Sequence, residues 1–140
     1  MKKLILVFAA IGFITMAAAT KMSISNSNVA LKAELKHEKY KACIDACNAC
    51  ITSCKKVESM CAKEKNSKMA HCEKLCKECV SECKAAIKLM ESNSEHAKSK
   101  CLECAKVCEK CAAECDKFKM EECEKCADHC RKAAKHCNEM

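Results

Sequence analysis

The chain has 140 residues, of which 32% are charged and 18 are cysteine, and its formal net charge is +7. This charge does not indicate a nucleic-acid-binding surface, because lysine and glutamate are interspersed, Arg131 is the only arginine and stacking aromatics are almost absent. We also find no glycine-rich loop and no nucleophile with an orienting partner, so we expect no enzyme.

The first nineteen residues have the features of a secretory signal peptide. Lys2 and Lys3 precede an apolar stretch over 4–16, and three alanines at 17–19 form a small-residue cleavage region. The apolar stretch is too short to span a membrane, and no cysteine follows it directly, so we expect no stable membrane anchor. The sequence therefore predicts export by the general secretory route, to the periplasm or outside the cell.

The remainder of the chain predicts a polar leader and one helical domain. Residues 20–28 are polar and are expected to form a flexible leader, and residues 29–140 form the domain. The only glycine, Gly12, lies in the predicted signal peptide and the chain has no proline, so neither helix breaker interrupts the domain. We predict helices over 29–62 and 67–91, a third helix that opens with a capping box of Ser92 and Glu95, and a fourth after a break at 116–119.

Cysteines recur along each predicted helix at steps of three, four and seven residues. Such steps place side chains on one face of a helix, the face that leucine and isoleucine normally fill in a bundle. We therefore expect the core itself to be the functional site, with every cysteine a candidate metal ligand. In chain order the four stripes are Cys43, Cys47, Cys50, Cys54 and Cys61; Cys72, Cys76, Cys79 and Cys83; Cys101, Cys104, Cys108, Cys111 and Cys115; and Cys123, Cys126, Cys130 and Cys137.

Four helices with short connections predict an all-α fold, an antiparallel up-down-up-down four-helix bundle. The four stripes would then face one another along the axis and give the bundle a cysteine-lined core. The spacing Cys-x-x-x-Cys-x-x-Cys-x-x-x-Cys occurs at 43–54, 72–83 and 104–115, which indicates an internal helical repeat.

Two explanations of the cysteines other than copper stay open. Disulfides would make the chain a stabilised exported helical protein that acts by interaction. However, side chains at i and i+4 have Cβ atoms about 5–6 Å apart, and a disulfide needs about 3.8 Å. Zinc or an iron–sulfur cluster would use the Cys-x-x-Cys pairs, but each zinc with four thiolates leaves a net charge of about −2 in a dry core.

Cu(I) fits the stripes better than either of these. It is a soft ion that prefers thiolate and thioether ligands, and two thiolates are enough for each metal. Because a thiolate can bridge two metals, a filled core approaches one Cu(I) per cysteine and carries little net charge. On this basis we expect the protein to hold on the order of 15–20 Cu(I) ions.

The predicted signal peptide, the four helical blocks and the repeated Cys-x-x-x-Cys pairs resemble the bacterial four-helix-bundle copper storage proteins. The resemblance covers about residues 29–137. It implies storage of many Cu(I) ions, mainly through the Cys-x-x-x-Cys pairs, and often assembly as a homotetramer. A cuproenzyme or a copper chaperone would donate or receive the metal. Exported relatives tend to use a twin-arginine leader, whereas the Lys2-Lys3 leader predicts export of an unfolded chain that loads copper afterwards.

Methionines extend the stripes at one end of the predicted bundle. Met69 and Met120 each lie three residues before the first cysteine of their helix. The turns after helices one and three share one end of an antiparallel bundle, so we expect Cys61, Met60 and His71 to gather there too. Thioethers bind Cu(I) more weakly than thiolates, which suits a mouth that passes metal inward, and copper storage relatives have a comparable cluster. The alternative is that the two methionines only fill space.

The opposite end of the predicted bundle has apolar rather than metal-binding features. Tyr40 and Met90 lie on the stripes and are expected to form a hydrophobic plug. The remaining histidines fall just off the stripes and are expected on the surface; they are His37, His96, His129 and His136.

Overall fold

The computed structural model describes residues 23–64 and 67–140. The predicted signal peptide at 1–19 and the start of the leader lie outside the described residues. Within the described ranges the chain forms four α-helices and no strand. The helices are α1 (Ser23–Glu64), α2 (Ala70–Glu91), α3 (Ala97–Cys115) and α4 (Glu121–Asn138), with one 3-10 turn (Ser67–Met69) before α2.

The predicted four-helix bundle is confirmed. Each helix packs against its neighbours in the chain, and α4 packs against α1 to close the ring. The connections are short, so successive helices run antiparallel. No helix in the described part of the chain combines the length and the apolarity that a membrane crossing would require.

The first helix begins earlier than predicted. It starts at Ser23 and not at residue 29, so residues 23–28 of the expected flexible leader are helical. No glycine or proline stops the helix there, and serine and asparagine alone disfavour it only weakly. With 42 residues α1 is about 63 Å long. The other helices are about half as long, and α1 therefore extends beyond the bundle, where the side chains of residues 28–39 are exposed.

The predicted capping box at the start of α3 is wrong. Asn93 has φ of 51°, and its N–H donates to the Met90 carbonyl at 3.0 Å while the Ser94 N–H donates to the Leu89 carbonyl at 3.0 Å. This pattern is a Schellman motif, so these residues end α2. The Ser92 hydroxyl donates to the Leu89 carbonyl at 3.2 Å, and α3 begins after His96 with no hydrogen bond from a capping side chain.

The core is built mainly from small side chains. All eighteen cysteines are buried, together with alanines such as Ala105 and Ala127. Val57, Met69 and Met90 are the largest side chains that are fully buried. Small inward residues let the four helices approach closely along most of the axis, and the larger residues fill space towards the ends.

We predict that Met90→Ala will destabilise the metal-free reduced protein by about 2–5 kcal/mol, because Met90 is fully buried and its truncation leaves a cavity. Leu31→Ala is the matched control. Leu31 lies on the part of α1 beyond the bundle and is 57% exposed, so its truncation should change stability by less than about 0.5 kcal/mol. Denaturant unfolding measures both values, and equal losses would contradict the assignment of Met90 to the core.

Candidate metal centre

The eighteen cysteine side chains form one continuous interior surface. All of them are free, and seventeen have no exposed surface at all. Cys61 is the exception, with 4% of its surface exposed at the end where α1 finishes. Burial of this kind separates the thiols from solvent, so a soft ion inside the bundle would meet sulfur and little else.

In the middle of the bundle the four stripes meet in a layer with one thiol from each helix. The Cys50 sulfur of α1 lies 3.4 Å from that of Cys130 on α4 and 3.5 Å from that of Cys79 on α2. Cys79 in turn lies 3.5 Å from Cys108 on α3. These are contacts between unbonded thiols, since a disulfide has a length of about 2.05 Å.

Neighbouring layers share their sulfurs. Several sets of three or four thiols lie within 4.8 Å of one another, and four of these sets form a series in which each shares two thiols with the next. Shared ligands are what a multinuclear Cu(I)–thiolate core needs, because bridging lowers the number of thiolates for each metal. The sets include Cys50, Cys79, Cys83 and Cys108; Cys50, Cys54, Cys79 and Cys130; Cys54, Cys111, Cys126 and Cys130; Cys76, Cys111, Cys115 and Cys126; and Cys43, Cys101 and Cys137.

The Cys-x-x-x-Cys pairs bring two sulfurs together on one helix. The sulfur–sulfur distance is 4.0 Å in the pair Cys50 and Cys54, and it is 3.9 Å between positions 104 and 108 and between positions 126 and 130. One turn of helix thus offers two ligands from a rigid backbone. Both sulfurs of such a pair also contact the opposite helices, so each pair can join two layers.

Hydrogen bonds between the thiols make their acidity uneven. Donation from Cys115, and then from Cys76, lowers the pKa of Cys72 to about 4. Hydrogen bonds with Cys111, and then with Cys126 and Cys72, raise the pKa of Cys115. Burial raises the pKa of Cys61. Burial, and then the nearby Cys72, raise the pKa of Cys123 to about 12. The metal-free core therefore holds many protons that a thiolate-binding ion must displace.

The predicted methionine ligands face the core, whereas the predicted ligand His71 lies on the surface. Met69 is fully buried, and Met60 and Met120 are partly buried and pack against the core. His71 lies on the outside, with its side chain 64% exposed and its Nε2 atom 3.9 Å from a Glu114 carboxylate oxygen. Of the four predicted ligands beyond the cysteines, His71 is therefore the one that does not face the interior.

One polar contact beside the core was not predicted from the sequence. The Ser53 hydroxyl lies 2.5 Å from Nδ1 of His129 and joins α1 to α4. Ser53 is buried and His129, expected on the surface, is half-buried. Both residues neighbour core cysteines in the sequence, but no spacing pattern marks them, because the contact depends on how two distant helices align.

The tertiary fold is shared with proteins of known type. A family model described as copper storage protein matches residues 36–140. The Cu(I)-bound copper storage protein BsCsp3 is similar with a TM-score of 0.70 and 34% identity, over 73% of this chain and 97% of that one. None of the curated proteins compared with the chain matches it.

Two further structures agree with this result. Apo copper storage protein 3 from Bacillus subtilis has a TM-score of 0.66 and 33% identity, over 71% of this chain and 95% of its own. A protein from Nitrosospira multiformis has a TM-score of 0.65 and 30% identity, over 73% of this chain and 94% of its own.

We predict that Ser53→Ala will destabilise the metal-free protein by about 1–3 kcal/mol, because it leaves the half-buried His129 ring without its partner. Thr52→Ala is the matched control. The Thr52 hydroxyl is exposed and donates to the Asn48 carbonyl of its own helix at 3.0 Å, so its loss should cost less than about 0.5 kcal/mol. Thermal unfolding compares the variants, and a Ser53→Ala protein as stable as the control would show that the contact does not hold α1 to α4.

Proposed function

The chain belongs to the copper storage protein family, and from that premise we propose that it stores many Cu(I) ions on the thiolates of its core. The observation that carries this function is the sharing of sulfurs between successive thiol sets along the axis. Cu(I) accepts two or three thiolates and tolerates bridging ligands, so it can occupy every layer at once. In this proposal the protein is a store and not an enzyme, since its thiols are buried inside the bundle.

The helical Cys-x-x-x-Cys pairs are the main binding units in this proposal. Each holds its two sulfurs about one turn apart and adds contacts to the facing helices. One Cu(I) for each thiolate leaves the filled core close to neutral. Zinc with four separate thiolates would accumulate negative charge in a site from which water is excluded, which costs several kcal/mol for each unpaired charge. The geometry therefore favours Cu(I) over the zinc alternative.

Copper is proposed to enter at the end where α1 meets the 3-10 turn. Cys61 has the only exposed cysteine surface, and Met69 is fully buried at the start of the α2 stripe. Met60 and Met120 pack against the core from partly exposed positions. Thioethers bind Cu(I) weakly enough to pass it on to thiolates. His71 would act here only as an outer ligand, since its ring is largely exposed.

Three finer features complete the proposal. The basic and apolar start of the sequence supports export by the general secretory route to the periplasm or beyond. Resemblance to the copper storage proteins supports a homo-oligomer, with a tetramer as the expected form. The same resemblance supports exchange of copper with a chaperone or a cuproenzyme. The interspersed lysines and glutamates support the proposal that the protein has no nucleic-acid partner.

We predict that anaerobic titration of the reduced protein with buffered Cu(I) will find about 15–20 tightly bound ions for each chain. Cys50→Ser should lower this capacity by about one or two ions, since Cys50 belongs to two thiol sets, and Cys108→Ser should act similarly. Ala113→Ser, on the exposed face of α3, adds a hydroxyl outside the core and is the control. A capacity of a few ions, or one unchanged by the core substitutions, would contradict storage on shared thiolates.

We also predict that Cu(I) binding releases protons and weakens as the pH falls. Cys61 and Cys123 have raised pKa values, so both are protonated at neutral pH and must lose their protons to bind metal. For each proton displaced, the affinity should fall about tenfold for each pH unit. Competition against a Cu(I) chelator at two pH values, corrected for protonation of the chelator, measures this slope. A pH-independent affinity would mean that thiolates are not the ligands.

A further inference from the structure

The end of the bundle opposite the proposed mouth has a second chemical feature. Cys43, Cys101 and Cys137 form a three-thiol set there, and we call this set the thiol pole. The sulfurs of Cys43 and Cys137 are 3.4 Å apart, which equals the shortest thiol contact in the described chain. This pair joins α1, at the point where it enters the bundle, to the last turn of α4.

A groove with nitrogen and oxygen donors lies directly outside the thiol pole. Its lining includes Ala42 and His136, the sequence neighbours of the two thiols, together with Glu38 and Glu139. Nδ1 of His136 is 3.7 Å from a Glu139 carboxylate oxygen, and both side chains are partly exposed, at 38% and 54%. Imidazole and carboxylate are ligands that Cu(II) accepts, whereas the thiols inside prefer Cu(I). Ligands that suit Cu(II) in the groove and ligands that suit Cu(I) in the core therefore lie on the two sides of the same helix ends.

We propose that this end of the bundle reduces Cu(II), with His136 and Glu139 as the docking ligands and Cys43 and Cys137 as the electron donors. Each of two Cu(II) ions accepts one electron and becomes Cu(I). The two thiols lose two electrons and two protons, a bond forms between their sulfurs, and the protons pass to solvent. The inference rests on the proposed storage function, because the other sixteen thiols bind the Cu(I) that is produced.

A similar arrangement on the far side of the molecule is less suited to the reaction. His71 and Glu114 lie outside the pair Cys72 and Cys115, whose sulfurs are 3.7 Å apart. There the Glu114 carboxylate already accepts a hydrogen bond from the Lys117 ammonium at 2.5 Å. Two lysines, at positions 110 and 117, line that groove beside one glutamate, whereas one lysine, Lys39, lines the groove at the thiol pole beside two glutamates. A divalent cation is therefore repelled more strongly at the far side. At the thiol pole Lys39 donates to the backbone carbonyl of Glu139 and leaves its carboxylate to His136.

The interior pairs are also less suited, for a different reason. Cys50 and Cys130 are as close as the pole pair, at 3.4 Å, but both are fully buried in the middle of the bundle. A hydrated Cu(II) ion would have to lose its water before it reached them, and the described contacts of this layer are to other thiols. The pole pair is buried as well, but it lies at the end of the bundle, and Cys137 directly follows the partly exposed His136. A Cu(II) ion held by His136 and Glu139 would therefore be one residue from the pair before it lost all of its water.

The test mixes reduced, metal-free full-length protein anaerobically with two equivalents of Cu(II). Loss of the Cu(II) electron paramagnetic resonance signal gives the rate, and peptide mapping locates the disulfide. We expect fast reduction of both ions with one disulfide between Cys43 and Cys137. Cys43→Ser, Cys137→Ser and His136→Gln should each slow the fast phase by at least about tenfold. His96→Gln is the matched control, since His96 pairs with Glu95 at 3.6 Å on a loop away from the groove, and it should react like the parent protein.

Other outcomes separate the two proposals. A disulfide at positions 72 and 115, or scattered among the interior thiols, would overturn the assignment to the thiol pole, as would an unchanged rate in Cys43→Ser. Circular dichroism confirms that each variant is folded, and direct Cu(I) titration of the same samples tests storage. Protein that takes up Cu(I) fully but leaves Cu(II) unreduced refutes only this inference. Protein that binds neither ion refutes the storage function itself.

Discussion

The close approach of thiols from four helices is the constraint on which the rest of this structure depends. A sulfur at almost every inward position puts four side chains of one type into each layer, as at Cys50, Cys79, Cys108 and Cys130. Cysteine is small, so the helices must pack tightly to exclude water, and the inward alanines allow this. The same tight packing fixes sulfur–sulfur distances between 3.4 and 4.0 Å. The close packing of the helices thus determines both how the core is filled and how far apart the sulfur ligands lie.

This arrangement divides stability between the protein and its metal. A core of cysteine and alanine buries less apolar area than one of leucine and isoleucine, and among the described residues Val57, Met69 and Met90 are the largest that are fully buried. Ion pairs on the surface, such as Lys74 with Glu78, contribute little because solvent screens them. Metal that binds only the folded bundle would add stability as it accumulates. The cysteine-rich core therefore has two consequences: the metal-free protein is only modestly stable, and the folded protein has a large capacity for a soft ion.

Much of this fold and site could be predicted from the sequence, because the repeat of cysteines is periodic and periodicity reports helix faces directly. The bundle, its four stripes and the buried Met69 all follow from spacing. The early start at Ser23 did not, since polar residues that can cap a helix can also continue it. The function of Asn93 in ending α2 was missed because serines on both sides offered a competing cap.

Contacts between distant helices were beyond the sequence for a different reason. His71 and His136 look alike in the sequence, as each directly precedes a cysteine. The carboxylate beside His136 is that of Glu139, three residues along the same chain. The carboxylate beside His71 is that of Glu114 on another helix, and only the structure shows that this contact exists and that Lys117 also binds it. The pairing of Ser53 with His129 likewise depends on the register between α1 and α4, which no local pattern records. Sequence periodicity identifies the inward face, whereas the neighbours of an outward residue depend on tertiary packing.

X-ray absorption at the copper edge of the filled protein tests the central claim most directly. If successive layers share their thiolates, each copper should show about two or three sulfur neighbours and also short copper–copper scattering. Such a spectrum would establish bridged Cu(I)–thiolate clusters along the axis. A first shell dominated by nitrogen or oxygen, or isolated copper ions without metal neighbours at full loading, would contradict storage on the shared sulfurs of this core.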